Sequence, residues 1–418
     1  MLVEKFITYV ARKKNASYLQ FSSPSIPTIP DKSNDSPTLL YIHVPFCEEL
    51  CPYCSFNRIV FRDDLARSYF EALRKEILMY RDLGYAFQGL YVGGGTPTVL
   101  IDELAATLEL IKKTYPISEI SVETNPNHLT EVNLRILKES GVNRLSVGVQ
   151  TFDNDLLKAI ERYHKYGSGE EIAERIRVSQ GVFQTLNIDM IFNFPMQTMD
   201  ILAKDLSTLI DLEVDQITYY PLMVSTSTEA AMKRKLGIVD NNRGRSFYEK
   251  IVDILSSQYR PSTAWCFSRT QAPIDEYVVN YEEYAGLGSG SIGYLGGSAY
   301  ANTFDIQEYM AKIKQGILPI AGKKDFSVKE RLRYDFLMKL FGMKLDLDYL
   351  AARHGVSAYR SLWPEIAFFQ MVGGLKKRGN TLYLTKKGQY YWVLMMREFF
   401  IGVNNFRDFC RAELQGKN

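Results

Sequence analysis

Residues 39–57 read LLYIHVPFCEELCPYCSFN, an apolar, strand-like run that stops at Pro45 and opens into a loop holding Cys47, Cys51 and Cys54. A short run of Leu, Ile, Val and aromatic residues reads as a buried strand. Five more follow it: GLYVGG (89–94), ISEISVET (117–124), RLSVGVQ (144–150), TLNIDMIFNF (185–194) and QITYYPL (216–222). Between them lie segments such as LARSYFEALRKEILMYRDLG (65–84) and DELAATLELIKKTYP (102–116), whose apolar residues recur at three- and four-residue steps, the helical period. Strand and helix alternate six times, which predicts an α/β fold with a parallel sheet, doubly wound or curled into a full or partial barrel. Such folds gather their active-site groups at the C-terminal ends of the strands. The cysteine loop, GGGTPT (93–98), ETNPN (123–127), GVQTF (148–152) and NFPMQT (193–198) all sit there and converge on one mouth.

At 418 residues the chain is too long for one ordinary core, and two domains are expected. Fifty basic against 48 acidic residues leave a net charge of +2, so nothing global points to nucleic acid or a polyanionic substrate. The start, MLVEKFITYVARKK, lacks the apolar core of a secretion signal, and no apolar run reaches the ~18 residues of a membrane span. A cytoplasmic protein is expected. The Pro/Ser/Asp-rich run 21–38 marks residues 1–38 as an extension or linker. Residues 39–305 form the α/β core, closed by the glycine-rich AGLGSGSIGYLGGS (285–298). Residues 306–418 form a smaller helical domain whose helices and hairpin-like NTLYLTKKG (380–388) resemble a winged helix. Its mixed charge argues against nucleic-acid binding.

The cysteine spacing, C-x3-C-x2-C, falls short of a structural zinc site, which wants four ligands; the chain has no second C-x-x-C. Three thiolates on one loop can hold a [4Fe-4S] cluster by three irons and leave the fourth open to a non-protein ligand.

With this spacing the chain resembles the radical SAM superfamily, in which the open iron takes the amino and carboxylate groups of S-adenosylmethionine (SAM). YIHVPFC, CPYCSFN, GGGTPT, ETNP, SVGVQTF and GLGSGSIG together are similar to its anaerobic coproporphyrinogen III oxidase (HemN/HemW-like) branch, which also holds heme chaperones and class C methyltransferases. The resemblance implies a partial (β/α)6 barrel with a smaller C-terminal domain, a [4Fe-4S] cluster on Cys47, Cys51 and Cys54, and two SAM molecules. It implies that Tyr41 packs near the first SAM, Gly94 lets the backbone approach it and Glu123 holds its polar groups, with Tyr41 and Glu123 as the catalytic candidates. The second SAM is assigned to Gly95, Thr96, Gln150, Arg162 and Asp189, walled by Tyr220 and Ile292. An electron donor such as a flavodoxin or ferredoxin is the implied protein partner.

Departures from the branch guide the choice within it. The oxidases carry a further cysteine two residues after the third, where this chain has Phe56. The heme chaperones carry H-N-x-x-Y-W before the glycine-rich loop, where this chain reads VNYEEY (279–284). These departures favour a class C methyltransferase acting on an sp2 carbon, with a heme chaperone or an oxidative decarboxylase of the coproporphyrinogen oxidase type as the alternatives. The aromatic and Met-rich stretch 389–406 reads as a core helix, or as a lid or membrane-facing patch for a flat apolar substrate. On that reading the acceptor is a quinone or tetrapyrrole, with the menaquinone ring favoured, and peripheral membrane contact is expected. His43 organises the loop or contacts the cluster; His128, His164 and His354 are given no role, Cys266 reads as a core residue, with thiyl or proton chemistry at the active site as the alternative, and Cys410 as structural or inert.

Overall fold

The computed structural model describes residues 2–19, 21, 29, 38–270 and 277–415. Six strands carry the predicted alternation: β1 (Thr38–Val44), β2 (Gly89–Gly94), β3 (Glu119–Thr124), β4 (Arg144–Gln150), β5 (Thr185–Phe192) and β6 (Gln216–Pro221). They pair in parallel and in chain order. The main crossover helices are α1 (Asp63–Asp82), α2 (Ile101–Thr114), α3 (Glu131–Glu139), α4 (Gly169–Ser179) and α5 (Met199–Leu212). Their starts are set locally: Thr130 and Thr198 accept amide hydrogens at the N-caps of α3 and α5, and Ser168 with Glu171 forms a capping box on α4.

The sheet extends on both flanks. Next to β1 stands a seventh parallel strand, β9 (Glu283–Leu287), followed by antiparallel β10 (Ile292–Leu295), β11 (Ser298–Asn302) and β12 (Ile320–Asp325). Beyond β6 lie antiparallel β8 (Cys266–Ser268) and β7 (Arg260–Pro261). The twelve strands run β12-β11-β10-β9-β1-β2-β3-β4-β5-β6-β8-β7, so the partial (β/α)6 barrel is open among the described residues. The glycine-rich segment is thus a strand, a tight turn and a returning strand laid against β1.

Alternation along each strand separates two environments. Leu40, Ile42, Val92, Val122, Val147 and Ile188 are buried with the helices in one apolar core. The alternate positions carry polar side chains toward the sheet's other face. At its base the fully buried Arg144 donates twice to Gln216 Oε1, at 2.9 and 2.7 Å. One layer higher Asp189 accepts from Ser146 and Asn187, both at 2.8 Å. A buried polar layer is tolerable because its members satisfy one another.

After α5 come α6 (Thr226–Leu236), α7 (Gly244–Leu255), the short α8 (Tyr277–Asn280) and α9 (Ile306–Lys314), and the C-terminal region holds α10 (Val328–Phe341), α11 (Leu347–His354) and α12 (Ala358–Met371), then α13 (Lys386–Gln415). Three short strands, β13 (Lys344–Asp346), β14 (Leu375–Arg378) and β15 (Thr381–Leu384), pair in the order β13-β15-β14, completing a winged-helix-like arrangement. Tyr390, Tyr391, Trp392, Val393, Leu394 and Met396 of α13 are buried, so the first half of the aromatic stretch is core. Near the chain start residues Leu2–Tyr18 form a helix packed on α13, with Arg12 paired to Glu398 at 3.0 Å; the Pro/Ser/Asp-rich run lies outside the described residues apart from 21, 29 and 38. No described helix is long and apolar enough to cross a membrane.

Candidate functional site

The cysteine loop leaves β1 through a two-residue strand, Phe46–Cys47, that pairs in parallel with Ile59–Val60. The loop between them is closed at its root by Ile59 N–H to Pro45 O at 2.7 Å and Phe61 N–H to Cys47 O at 2.8 Å. Arg58 reaches back inside it, one Nη donating to the carbonyls of both Cys51 and Cys54 at 2.6 Å. All three cysteines are free thiols.

The groups around the sulfurs are donors and cations. Thr96 Oγ1 lies 3.7 Å from Cys47 Sγ, and Arg162 Nη1 lies 3.5 Å from Cys51 Sγ. Burial, then the neighbouring Cys54, pushes the Cys47 thiol up to about 11, so without a metal it holds its proton. Burial opposes charge on Arg58, but its nearness to Cys54, Cys51 and Cys47 outweighs burial and raises its pKa. Arg407 comes from α13 at the far end of the chain and donates to Ser55 O at 2.5 Å. Among the described residues no three His, Cys, Asp or Glu are grouped to hold a single metal ion. A cluster needs one thiolate for each of three irons, spaced farther apart, and net negative thiolates beside buried cations suit it. Nε and Nη1 of Arg58 and Nε of Arg162 are buried without partners, donors left over for a bound anionic group.

The GGGTPT segment shows why it is glycine-rich. Gly94 has φ +116°, and a Cβ there would stand 2.7 Å from the His43 ring; at Gly95 it would stand 2.5 Å from Phe46 O. His43 is fully used by the protein: Nε2 bonds Asn57 O at 2.7 Å and Nδ1 bonds Tyr41 OH at 3.0 Å. Burial lowers its pKa to about 4, so the ring is neutral and organises the loop. Tyr41 stacks on Tyr91 and Tyr277, and burial, then Glu123, raises its hydroxyl pKa. Glu123 accepts from Tyr91 OH at 2.8 Å and Gly94 N–H at 3.0 Å.

A second group meets at Gly148, where β4 slips register by one residue. Arg162 donates to Gly148 O and to Asn125 Oδ1 at 3.1 Å, and Asn125 donates to Thr96 Oγ1 at 2.8 Å. Gln150 sits at φ +77°, a conformation that costs a non-glycine residue about 1–3 kcal/mol and marks strand ends under functional constraint. Asp189 is Gly148's partner on β5. Thus Thr96, Gln150, Arg162 and Asp189 share a neighbourhood. Tyr220 stands edge-on to Trp265, and Ile292 lies beside Gly286, the register partner of Tyr41.

Sequence reasoning missed Arg58, Arg407, Asn125 and Lys165. Arg58 directly follows the motif and could have been suspected; Arg407 is 350 residues from the loop and carries no local signal. His128 proves to be part of the mouth, bonded to Thr98 at 2.7 Å and 3.5 Å from Glu48 in the cysteine loop. That contact, then Asn127, holds the Glu48 carboxyl down to about 2 despite burial. Cys266 is fully buried and Cys410 half-buried on α13.

The parallel sheet, the strand-end loops and a three-cysteine site define a radical SAM protein, and residues 41–209 match the Radical SAM superfamily. The chain is 30% identical over 316 residues to the heme chaperone HemW of Bacillus subtilis, covering 72% of this chain and 82% of that protein. It is 24% identical over 387 residues to the oxygen-independent coproporphyrinogen III oxidase of Pseudomonas aeruginosa, covering 84% and 83%. The structure of coproporphyrinogen III oxidase (HemN) from Escherichia coli shares the fold, with TM-score 0.74 at 22% identity over 89% of this chain and 91% of that one. The chain belongs to the HemW/HemN family of the radical SAM superfamily. A [4Fe-4S] cluster and SAM follow from that membership.

These relatives overturn the expectation of a menaquinone C-methyltransferase. They are named as heme chaperones and coproporphyrinogen oxidases. The physical reason for the error is plain. YIHVPFC, GGGTPT and ETNP shape the cluster and SAM end of the site, which the whole branch shares, and a missing cysteine or histidine elsewhere does not identify an acceptor. The aromatic stretch that suggested a quinone is largely core.

Proposed function

We propose that this protein binds heme or a closely related tetrapyrrole at the mouth above the cysteine loop, as a HemW-type protein. The carrying observation is the alignment with the B. subtilis heme chaperone over 82% of that protein, joined by Phe56 where the oxidases have a fourth cysteine. Cys47, Cys51 and Cys54 would hold the cluster, with Tyr41, Gly94 and Glu123 lining its SAM. When bound, the cluster and SAM would supply one-electron reductive chemistry at this mouth. Around them the chain's own residues neutralise charge and exclude water: Arg58, Arg162 and Arg407 surround the loop, Tyr53 packs on Phe194, and α13 covers one side. A second SAM at Gly95, Thr96, Gln150, Arg162 and Asp189, with Tyr220 and Ile292 as walls, is supported in part, by the shared neighbourhood of Thr96, Gln150, Arg162 and Asp189. Equilibrium dialysis with SAM should then saturate at two molecules per chain.

Val279, at the position of the chaperones' histidine, packs on Gly342, and its carbonyl accepts from Lys339 at 2.7 Å. A heme iron must take its ligand elsewhere. His43, His128 and His354 are held by Asn57, Thr98 and Asp335. His164 is exposed on the short helix Tyr163–Tyr166, between Arg162 and Lys165, which pairs with Glu48 at 3.7 Å. We assign the ligand to His164.

Anaerobic hemin titration followed by visible absorbance tests this: stoichiometric binding is expected, with the ligand-dependent Soret shift lost in His164→Ala. Absence of saturable hemin binding would refute the reading. A second reading, oxidative decarboxylation of a porphyrinogen, is favoured by the oxidase alignments running over 84% of the chain against 72% for the chaperone. Reductant- and SAM-dependent release of carbon dioxide from coproporphyrinogen III would establish it.

A further inference from the structure

Two cations leave the same turn after β4 and lie over one buried ring. The Arg162 guanidinium stands 4.1 Å and Lys165 Nζ 4.7 Å from the centroid of Tyr166. An aromatic face attracts a cation through its quadrupole and, unlike a carboxylate, leaves the positive charge uncancelled. The two side chains then divide the cysteine loop between them. Arg162 faces Cys51 Sγ at 3.5 Å, and Lys165 reaches the other end, where Glu48 follows Cys47.

The ion pair with Glu48 does not account for Lys165. Its side chain is 6% exposed, and Nζ stands 3.7 Å from Glu48 Oε2 with no hydrogen-bond partner among the described residues. Glu48, itself 39% exposed, directs its closer contacts to Asn127 at 2.9 Å and His128 at 3.5 Å. A lysine stem is long enough to carry its head out to water, so a buried ammonium with open donors is costly unless further negative charge lies near it. That charge is at the sulfurs. Burial, then Cys54, raises the Cys47 thiol while Thr96, Arg58 and Lys165 act the other way, which places the ammonium within electrostatic reach of Cys47.

We propose that Lys165 raises the reduction potential of the cluster held by Cys47, Cys51 and Cys54, and so eases electron entry at this site. Three thiolates around a doubly positive iron–sulfur core leave one net negative charge, and reduction adds a second. A fixed cation beside the loop therefore favours the reduced form. The step is one electron from a low-potential one-electron donor, with no bond broken and no proton moved. Arg58 and Arg162 act in the same sense, but Arg58 also ties the carbonyls of Cys51 and Cys54, and Arg162 ties Gly148 and Asn125. Lys165 makes no hydrogen bond among the described residues, so its charge can be removed with least disturbance of the loop. The proposal rests on the cluster and not on heme.

The test is an anaerobic redox titration of the full chain reconstituted with iron and sulfide, read by the electron paramagnetic resonance of the reduced cluster, with dithionite as donor and neither SAM nor heme present. In Lys165→Met the reduced-to-oxidised ratio at a given potential should fall on the order of tenfold, a midpoint about 59 mV lower for one electron. Lys165→Arg should keep the wild-type midpoint, as should Lys158→Met, which removes an exposed lysine paired with Asp155. Glu48→Gln removes the opposing charge and should raise the midpoint. The opposite signs separate electrostatics from a loosened loop, which would move both variants the same way. A wild-type midpoint in iron-loaded Lys165→Met, an equal fall in Lys165→Arg, or shifts of one sign in Lys165→Met and Glu48→Gln would overturn the proposal. Should Lys165→Met load no iron, an unchanged or lowered midpoint in Glu48→Gln would overturn it. Loss of the signal from the wild-type chain would instead remove the cluster itself.

Discussion

Glu76 offers a test of how the site is held together. It lies on α1, fully buried, and its carboxylate accepts from Tyr309 OH at 2.6 Å, Gly288 N–H at 2.8 Å and Asn302 Nδ2 at 3.0 Å. Those donors belong to the β9–β10 turn, β11 and the helix Ile306–Lys314, so one side chain anchors the glycine-rich turn. The turn continues to the cysteine loop. Ser289 O accepts from Asn57 Nδ2 at 3.1 Å, and Ser289 N–H donates to Tyr69 OH, which itself donates to His43 O at 2.7 Å.

Burial outweighs those hydrogen bonds and pushes Glu76 from 4.5 up to about 7. A raised carboxyl pKa means that the native state holds the proton more tightly than the unfolded chain. Its stability contribution is therefore complete below pH ~4.5, falls as pH rises through ~7, and is absent above that. At about 1.4 kcal/mol per pKa unit, the loss across the window is ~3 kcal/mol. Glu76→Gln keeps the shape without the charge and should remove that slope, at a cost of ~1 kcal/mol for one imperfect hydrogen bond. Asp205, buried and likewise raised to about 7, contributes a similar slope in both proteins, so the difference between them isolates Glu76. Urea unfolding of the metal-free chain at pH values from 4.5 to 8 reads the effect. If Glu76→Gln kept the wild-type pH dependence, Glu76 would not be the buried titrating group inferred.

Three further outcomes follow from the site geometry. Cys51→Ala should abolish the broad iron–sulfur absorbance and SAM cleavage together; deoxyadenosine formation at the wild-type rate would remove the cluster from this loop. Gly95→Ala, whose Cβ would meet Phe46 O at 2.5 Å, should destabilise the chain by about 1–3 kcal/mol in denaturant titrations and lower iron incorporation. Arg162→Ala strips donors from Gly148 O and Asn125 and should cost ~2–3 kcal/mol. Arg162→Lys should recover part of the SAM affinity measured by dialysis; full SAM affinity in the alanine variant would place Arg162 outside the SAM site.

The strands and the cysteine set were legible because their signals are local. RLSVGVQ is strand over its full predicted range, 144–150, since alternating burial on a parallel sheet imposes the pattern directly on neighbouring residues. Cys47, Cys51 and Cys54 lie within eight residues on one loop, so their common duty needs no long-range contact to be seen. The same locality limited the reading. Stretch 389–406 looks alike whether it faces a core or a bilayer, because both environments select apolar and aromatic side chains. Only docking against α10 and α12, where Trp392 donates to Leu337 O at 3.0 Å and packs on Phe369, decides for the core.

By itself, then, the sequence determined the order of strands and helices, the loops that meet at the mouth and the three thiols they offer. The tertiary structure alone decided which distant groups surround those thiols: Thr96, Asn125 and Arg162 from successive strand ends, and Arg407 from the last helix. It also decided that the glycine-rich segment becomes a seventh parallel strand and that the first helix packs on the last. Such contacts arise from how crossovers and chain ends dock, a matter of shape and buried area summed over many residues, and no short stretch of sequence carries their sign.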